Sequence, residues 1–183
     1  VLNMNSNDII NCGTINNIPL NVYGNYFATV TQTLTATNTP TRVLLNFDVP
    51  SSSSDNGITL TTSGSNQGRI TFDYTATYNI TWSAYLLHGS SGSTTSFIWI
   101  RRNGIDITAS ALTGNTNNSQ NEETLATSLQ IPITANQYIE FWWAASATNT
   151  PLTAIAATTG TPYTKPGVPA FSVSITTAAS YIP

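Results

Sequence analysis

The stretch Tyr78 to Leu86, with the sequence YNITWSAYL, decides the fold class. Every second residue in it, from Tyr78 through Ile80, Trp82 and Ala84 to Leu86, is apolar or aromatic. The residues between them are mostly neutral and polar. A repeat of two residues is typical of a β-strand that has one buried side and one solvent-facing side. The stretch therefore predicts a central strand of a layered β-structure.

Comparable short stretches follow one another along the chain, with Gly, Pro, Asn and Ser between them. Asn103-Gly104, between two apolar runs, is the strongest hairpin signal, because both residues tolerate a positive φ. No helical pattern competes, so we predict an all-β fold, either a sandwich or a closed sheet. The further strands predicted are Tyr26–Thr35, Val43–Val49, Ile58–Thr62, Arg69–Tyr74, Phe97–Arg101, Ile105–Ser110, Thr124–Ile133, Tyr138–Ala145, Leu152–Ala157 and Phe171–Thr176.

The composition excludes several classes of function. Only 7% of the 183 residues are charged and the net charge is −3, while 40% are hydrophobic. Arg101 and Arg102 form the only basic pair, so we expect no nucleic-acid binding. Cys12 is the only cysteine, which rules out a disulfide within the chain. No apolar run approaches the roughly 20 residues of a membrane span, so we expect no membrane insertion.

The first 22 residues differ from the rest in the spacing of their apolar residues. In residues 1–20 apolar side chains recur at short spacing among Asn and Gly, as in a coil of a fibrous β-repeat. Such a segment cannot bury its apolar side alone and needs neighbours. We therefore predict a short, extended N-terminal arm or stem at residues 1–22 and a head domain at residues 23–183. An irregular arm packed on the head is the alternative.

Several motifs, taken in order, resemble a viral domain found in tail fibres and surface proteins of phages and large DNA viruses. They are FIWIRRNGIDITAS (97–110), LATSLQIPITANQYIEFWW (125–143) and PGVPAFSVSITTAA (166–179). The entry segment LNMNSNDIINCGTINN (2–17) is similar to a repeat that often precedes such heads. The fold of that family is similar to the jelly roll of tumour necrosis factor (TNF) and of the complement globular head.

The resemblance implies a jelly-roll β-sandwich of about ten antiparallel strands that forms a trimer. It implies a structural protein of the virion surface, assembled in the host cytoplasm, that contacts other virion proteins and mediates attachment to a host receptor or glycan. A penton or minor capsid protein at a capsid vertex, with five-fold symmetry, is the alternative. A lectin-like carbohydrate-binding module is the second alternative.

The residues that carry chemistry in enzymes do not form a recognisable set here. His88 is the only histidine and has no second ligand at metal-binding spacing, so we expect a solvated residue at the start of a loop. Glu122 and Glu123 are adjacent and are expected in a polar loop, where they cannot face each other across a cleft. We therefore expect no enzyme activity, no catalytic residue, no metal and no cofactor.

The aromatic residues suggest where subunits meet. Trp142 and Trp143 are consecutive on a predicted strand, so they must point to opposite sides. One should enter the core, and the other, beside Tyr138 or Ile139, should be covered by a second subunit, because an exposed tryptophan there would enlarge an apolar patch. We therefore predict an oligomer interface at Trp142, Trp143, Tyr138 and Ile139.

Two further predictions concern the surface. Arg101 shares a strand side with Phe97 and Trp99, and Asp106 follows the Asn-Gly turn, so we expect a structural ion pair between Arg101 and Asp106. The polar loops 51–56, 90–96 and 113–121 are candidates for receptor contact. The residues that mark these candidate loops are Ser51, Asn56, Ser90, Ser96, Asn115 and Asn121.

Overall fold

The computed structural model describes residues 14–15, 18–19, 22–49, 57–89, 92–117, 121–157, 159 and 166–178. Fourteen strands occur in these ranges, of which ten have three residues or more. They are β1 (Thr14–Ile15), β2 (Ile18–Pro19), β3 (Tyr23–Ala28), β4 (Thr41–Arg42), β5 (Phe47–Val49), β6 (Ile58–Leu60), β7 (Ile70–Phe72), β8 (Ala76–Leu87), β9 (Ser93–Arg102), β10 (Ile105–Asp106), β11 (Leu112–Asn117), β12 (Glu122–Ile133), β13 (Tyr138–Ala145) and β14 (Phe171–Thr177). The all-β prediction is confirmed.

Two antiparallel sheets make up the head. The five-stranded sheet has the order β12-β8-β14-β3-β5, and the seven-stranded sheet has the order β10-β9-β13-β7-β6, with β11 on β9 and β4 on β13. Among the residues that the structure describes, β1 and β2 pair with each other and with no other strand. Gly64–Asn66 forms one turn of 3-10 helix, and no helix in the described ranges has the length and apolar character of a membrane span.

The core lies between the two sheets. Tyr78, Ile80, Trp82, Ala84 and Leu86 on β8 are all 0–1% exposed, as their alternation predicts. An aromatic cluster joins the layers. In it, the Trp82 ring stacks on Phe171 of the same sheet at 5.6 Å and meets Phe141 of the opposite sheet edge-on at 6.0 Å. Burial of these large rings is the main stabilising contribution available to a chain with so few charges.

Several strand predictions were wrong in their extent. The polar stretch 113–121 was expected to be a loop, but Leu112–Asn117 is a strand that pairs along β9. Its inward residues Gly114 and Thr116 are buried and its other side is polar, so edge pairing, not apolar content, makes it a strand. In contrast, Leu152–Ala157 makes only isolated bridges, such as Leu152 to Gln32 and Ile155 to Val168. Glu122 and Glu123 begin β12 and do not lie in a loop.

Candidate functional site

The outer face of the five-stranded sheet is uncharged across its centre. Two rows of side chains cross the strands, and each row contains small or neutral residues. One row is Phe47–Phe27–Ser172–Ser83–Ala126 and the other is Asn25–Ser174–Thr81–Ser128. Hydrogen bonds join neighbouring side chains within each row. Ser83 Oγ lies 2.7 Å from Ser172 Oγ, and Thr81 Oγ1 donates to Ser128 Oγ at 2.9 Å. The result is an uncharged surface with a shallow hollow of about 210 Å³ over these rows.

Aromatic residues border this uncharged surface on one side. Phe27 and Phe47 are neighbours on β3 and β5, with ring centroids 6.3 Å apart, and the Phe47 side chain is 51% exposed. Beside them an open hollow of about 460 Å³ is lined by Phe27, Phe47, Ile155 and Val168 among others. An exposed apolar border of this kind can mark a surface that another protein contacts.

The outer face of the seven-stranded sheet has a different character, because charges and aromatic rings alternate on it. Glu140 on β13 is 3% exposed and is its hub. Oε1 of Glu140 accepts hydrogen bonds from Nη1 of Arg42 at 2.6 Å and from Nε and Nη2 of Arg69 at 3.2 Å. Oε2 of Glu140 accepts one from Nε1 of Trp142 at 3.2 Å. Burial alone would raise the pKa of Glu140, but the hydrogen bonds from Arg42 and Trp142 outweigh it and hold the pKa below its ordinary value of 4.5.

Arg101 and Asp106 lie together on the same face. Nε of Arg101 donates to Oδ1 of Asp106 at 2.5 Å, and Nε1 of Trp99 donates to the same oxygen at 2.6 Å. The hydrogen bond from Arg101 lowers the pKa of the Asp106 carboxyl, so the group is ionised at neutral pH. The guanidinium of Arg101 also lies 4.0 Å from the centroid of the Trp142 ring. The predicted cross-strand partners are therefore in contact.

Two of the predicted interface residues are wrong, and the other two have partners within the chain. Trp143 and Ile139 are both 0% exposed, because they face the core of the sandwich. Trp142 and Tyr138 face outward, but Arg101 lies over the first and Arg69 lies over the second, at 3.7 Å from the Tyr138 ring centroid. Cation–π contacts with arginine thus provide the environment that we had assigned to a neighbouring subunit.

The predicted receptor-contact residues fall into three groups. Ser96 is wrong as a contact residue, because it lies on β9 with its side chain 1% exposed, and Asn115 lies on β11 instead of in a loop. Asn121 is exposed just before β12. Ser51, Asn56 and Ser90 lie outside the described residues, as do Cys12 and all of the predicted arm except residues 14–15, 18–19 and 22.

His88 is not solvated, contrary to the prediction. It is 1% exposed, with Nε2 2.9 Å from Oγ1 of Thr94, and its backbone N–H donates to the carbonyl of Asn121 at 2.9 Å. Within the part of the chain that the structure describes, no group of three or more His, Cys, Asp and Glu side chains could hold a metal ion.

The sequence matches no protein-family model and no curated protein. The structure is similar to that of Eiger TNF from S. frugiperda, with a TM-score of 0.56 and 10% sequence identity. The match covers 89% of this chain and 96% of that chain. The head is a TNF-like jelly roll. The predicted jelly-roll sandwich is thereby confirmed.

Some residues of the TNF-like head were not recognised in the sequence. Arg42, Arg69 and Glu140 form one cluster although the arginines precede the glutamate by 98 and 71 residues, a distance that no local pattern bridges. Phe27 and Phe47 were placed on predicted strands without a role. For Phe27 the available signal was its position next to the buried Tyr26, since neighbours on a strand face opposite sides. Phe47 has the same alternating phase as the buried Val43 and Leu45, so its exposure had no such signal.

Proposed function

We propose that this chain is a structural and binding protein of the virion surface, a jelly-roll fibre head that works as a homotrimer and mediates assembly and host attachment without catalysing a reaction. The TNF-like fold and the motifs that resemble viral fibre heads support this proposal. The observation that carries it is the uncharged outer face of the five-stranded sheet. Charged residues are depleted where the core of a protein interface forms.

We infer that this face meets a second copy of the chain. The small residues Ser83, Ala126, Ser172 and Ser174 allow another surface to approach the sheet closely. The exposed ring of Phe47 at the border then loses its contact with water, at roughly 25 cal/mol for each Å² buried. In this arrangement the face of one copy contacts a different surface of the next copy. Such head-to-tail contacts form a closed ring when the rotation between neighbouring copies allows it, and a ring of three copies is a trimer.

Analytical ultracentrifugation of the full chain tests this proposal with a pair of matched variants. Ser174→Arg places a long charged side chain in the middle of the proposed interface, whereas Thr59→Arg places the same side chain on the exposed side of β6 in the other sheet. Both positions are exposed, so both variants should fold. We expect wild-type protein and Thr59→Arg to sediment as trimers and Ser174→Arg to dissociate. A monomeric wild-type chain contradicts the proposal, and a pentamer favours the capsid-vertex alternative.

A further inference from the structure

An open hollow on the outer face of the seven-stranded sheet combines aromatic rings with fixed polar groups. Its volume is about 460 Å³, which lies within the range of ligand-binding clefts. We call it the Phe97–Trp99 hollow. Its main lining residues are Asn38, Phe97, Trp99, Asp106, Ile107 and Ala144.

The aromatic side of the hollow is accessible. Phe97 is 40% exposed, although it lies in the middle of β9, the long strand at the centre of this sheet. Its cross-strand neighbours are Ala144 on β13 and Thr113 on β11, which are too small to cover the ring. Trp99, two residues further on the same side of β9, extends the platform. Exposed apolar surface rimmed by polar groups is one mark of a ligand-binding surface.

The polar groups of the hollow have unused hydrogen-bonding capacity. Asp106 uses Oδ1 for both Trp99 and Arg101, and its side chain is 59% exposed. Within the described residues no donor reaches Oδ2, and because Asp106 lines the hollow, this carboxylate oxygen can accept a hydrogen bond from a ligand there. On the other side the backbone N–H of Asn38 donates to the carbonyl of Ala145 at 2.8 Å. This bond fixes the residue, while its side-chain amide makes no hydrogen bond in the described part of the chain.

The wall formed by residues 107–111 is held in one conformation. Ser110 is 2% exposed, and its Oγ accepts from the N–H of Ile100 at 3.0 Å and donates to the carbonyl of Ile107 at 2.8 Å. These bonds keep Ala109 in the left-handed region, at φ 62°. Because this wall is already ordered in the free protein, less conformational entropy is lost when a ligand binds.

We propose that the Phe97–Trp99 hollow binds a neutral pyranose sugar of a host glycan. The sugar's apolar C–H face lies on Phe97 and Trp99, one hydroxyl donates to Oδ2 of Asp106, and another bonds the amide of Asn38. A neutral sugar fits because the ionised Asp106 repels a carboxylate. The nearest cation, Arg101, is already committed to Asp106 and to the Trp142 ring. The inference rests on the attachment role proposed above, and it names the ligand class for that role.

The test uses the full chain on an array of neutral and sialylated glycans, followed by calorimetric titration of the neutral glycans bound. We expect Phe97→Ala and Asp106→Asn each to weaken binding about tenfold or more. The control Leu44→Ala removes an apolar side chain that is 41% exposed, close to the 40% of Phe97, and that lines neither the hollow nor the proposed subunit interface, so it should leave binding unchanged. Binding of no neutral glycan, a preference for sialylated glycans, or unchanged binding by Phe97→Ala would overturn the proposal.

Light scattering on the same samples separates this inference from the proposed function. A trimer that binds no glycan overturns the sugar site and leaves the oligomeric head standing. A monomer whose glycan binding depends on Phe97 overturns the trimer and supports the site.

Discussion

Replacing Glu140 with glutamine removes the charge from the hub of the seven-stranded sheet while keeping its shape. Three of the hydrogen bonds to Glu140 come from Arg42 and Arg69, and the glutamine amide would also point a donor at Nε1 of Trp142, which is itself a donor. Removing one partner of a fully buried ion pair costs about 3–5 kcal/mol. The arginine side chains here are 18% and 26% exposed and can turn toward water, so we expect a smaller loss of about 2–4 kcal/mol.

Thermal unfolding followed by far-ultraviolet circular dichroism measures this loss at a fixed protein concentration. For a chain of this size a loss of 1 kcal/mol lowers Tm by about 2–4 °C, so we expect Glu140→Gln to unfold about 4–16 °C below the wild type. The control is Glu122→Gln, at the exposed start of β12, which should cost less than about 0.5 kcal/mol. A Glu140→Gln variant as stable as the control would refute the reasoning.

The same variant has a defined pH dependence. Because the pKa of Glu140 is lower in the folded state than in the unfolded state, its stabilisation is complete above pH 4.5 and is lost as the pH falls through the folded pKa. The difference in free energy of unfolding between wild type and Glu140→Gln should therefore be constant at neutral pH and shrink below about pH 4.5. A difference that grows in acid would contradict the assignment.

Two further predictions concern backbone and buried hydrogen bonds. Gly68→Ala should cost about 3 kcal/mol or more in urea unfolding, because φ is +86° and the new Cβ would lie 2.3 Å from the carbonyl oxygen of Val43. Gly64→Ala, at a φ of +74° with open space around it, should cost only about 1–2 kcal/mol, and equal losses for the two would exclude the steric explanation. Ser110→Ala leaves the N–H of Ile100 without its partner and should cost about 1–3 kcal/mol, and a loss under about 0.5 kcal/mol would show that another group replaces the hydroxyl.

The strands that could be predicted are those whose pattern reports burial on one side. Tyr138–Ala145 has the predicted bounds, and the core side of β8 is the predicted one, because alternation of apolar residues fixes the side that a strand buries. β11 could not be predicted, since its Thr and Asn residues are typical of a loop and become a strand only by pairing with β9.

The candidate sites also differ in whether a local sequence pattern could predict them. The contact between Arg101 and Asp106 follows from a hairpin of known register, so the sequence predicts it. The cluster around Glu140 depends on strands brought together by the fold, and no local pattern indicates it. The alternation predicts that one of Trp142 and Trp143 faces outward but does not say which. The cover of the outward ring, Trp142, was assigned to another subunit because the arginine beside it was not considered as a partner for the ring.

The most direct test of the central claim, that this jelly-roll head functions as a trimer, is the molar mass of the full chain. Multi-angle light scattering over a range of protein concentrations should give about 59 kDa, three times the chain mass of 19.5 kDa. A mass that stays at 19.5 kDa at every concentration would contradict the claim.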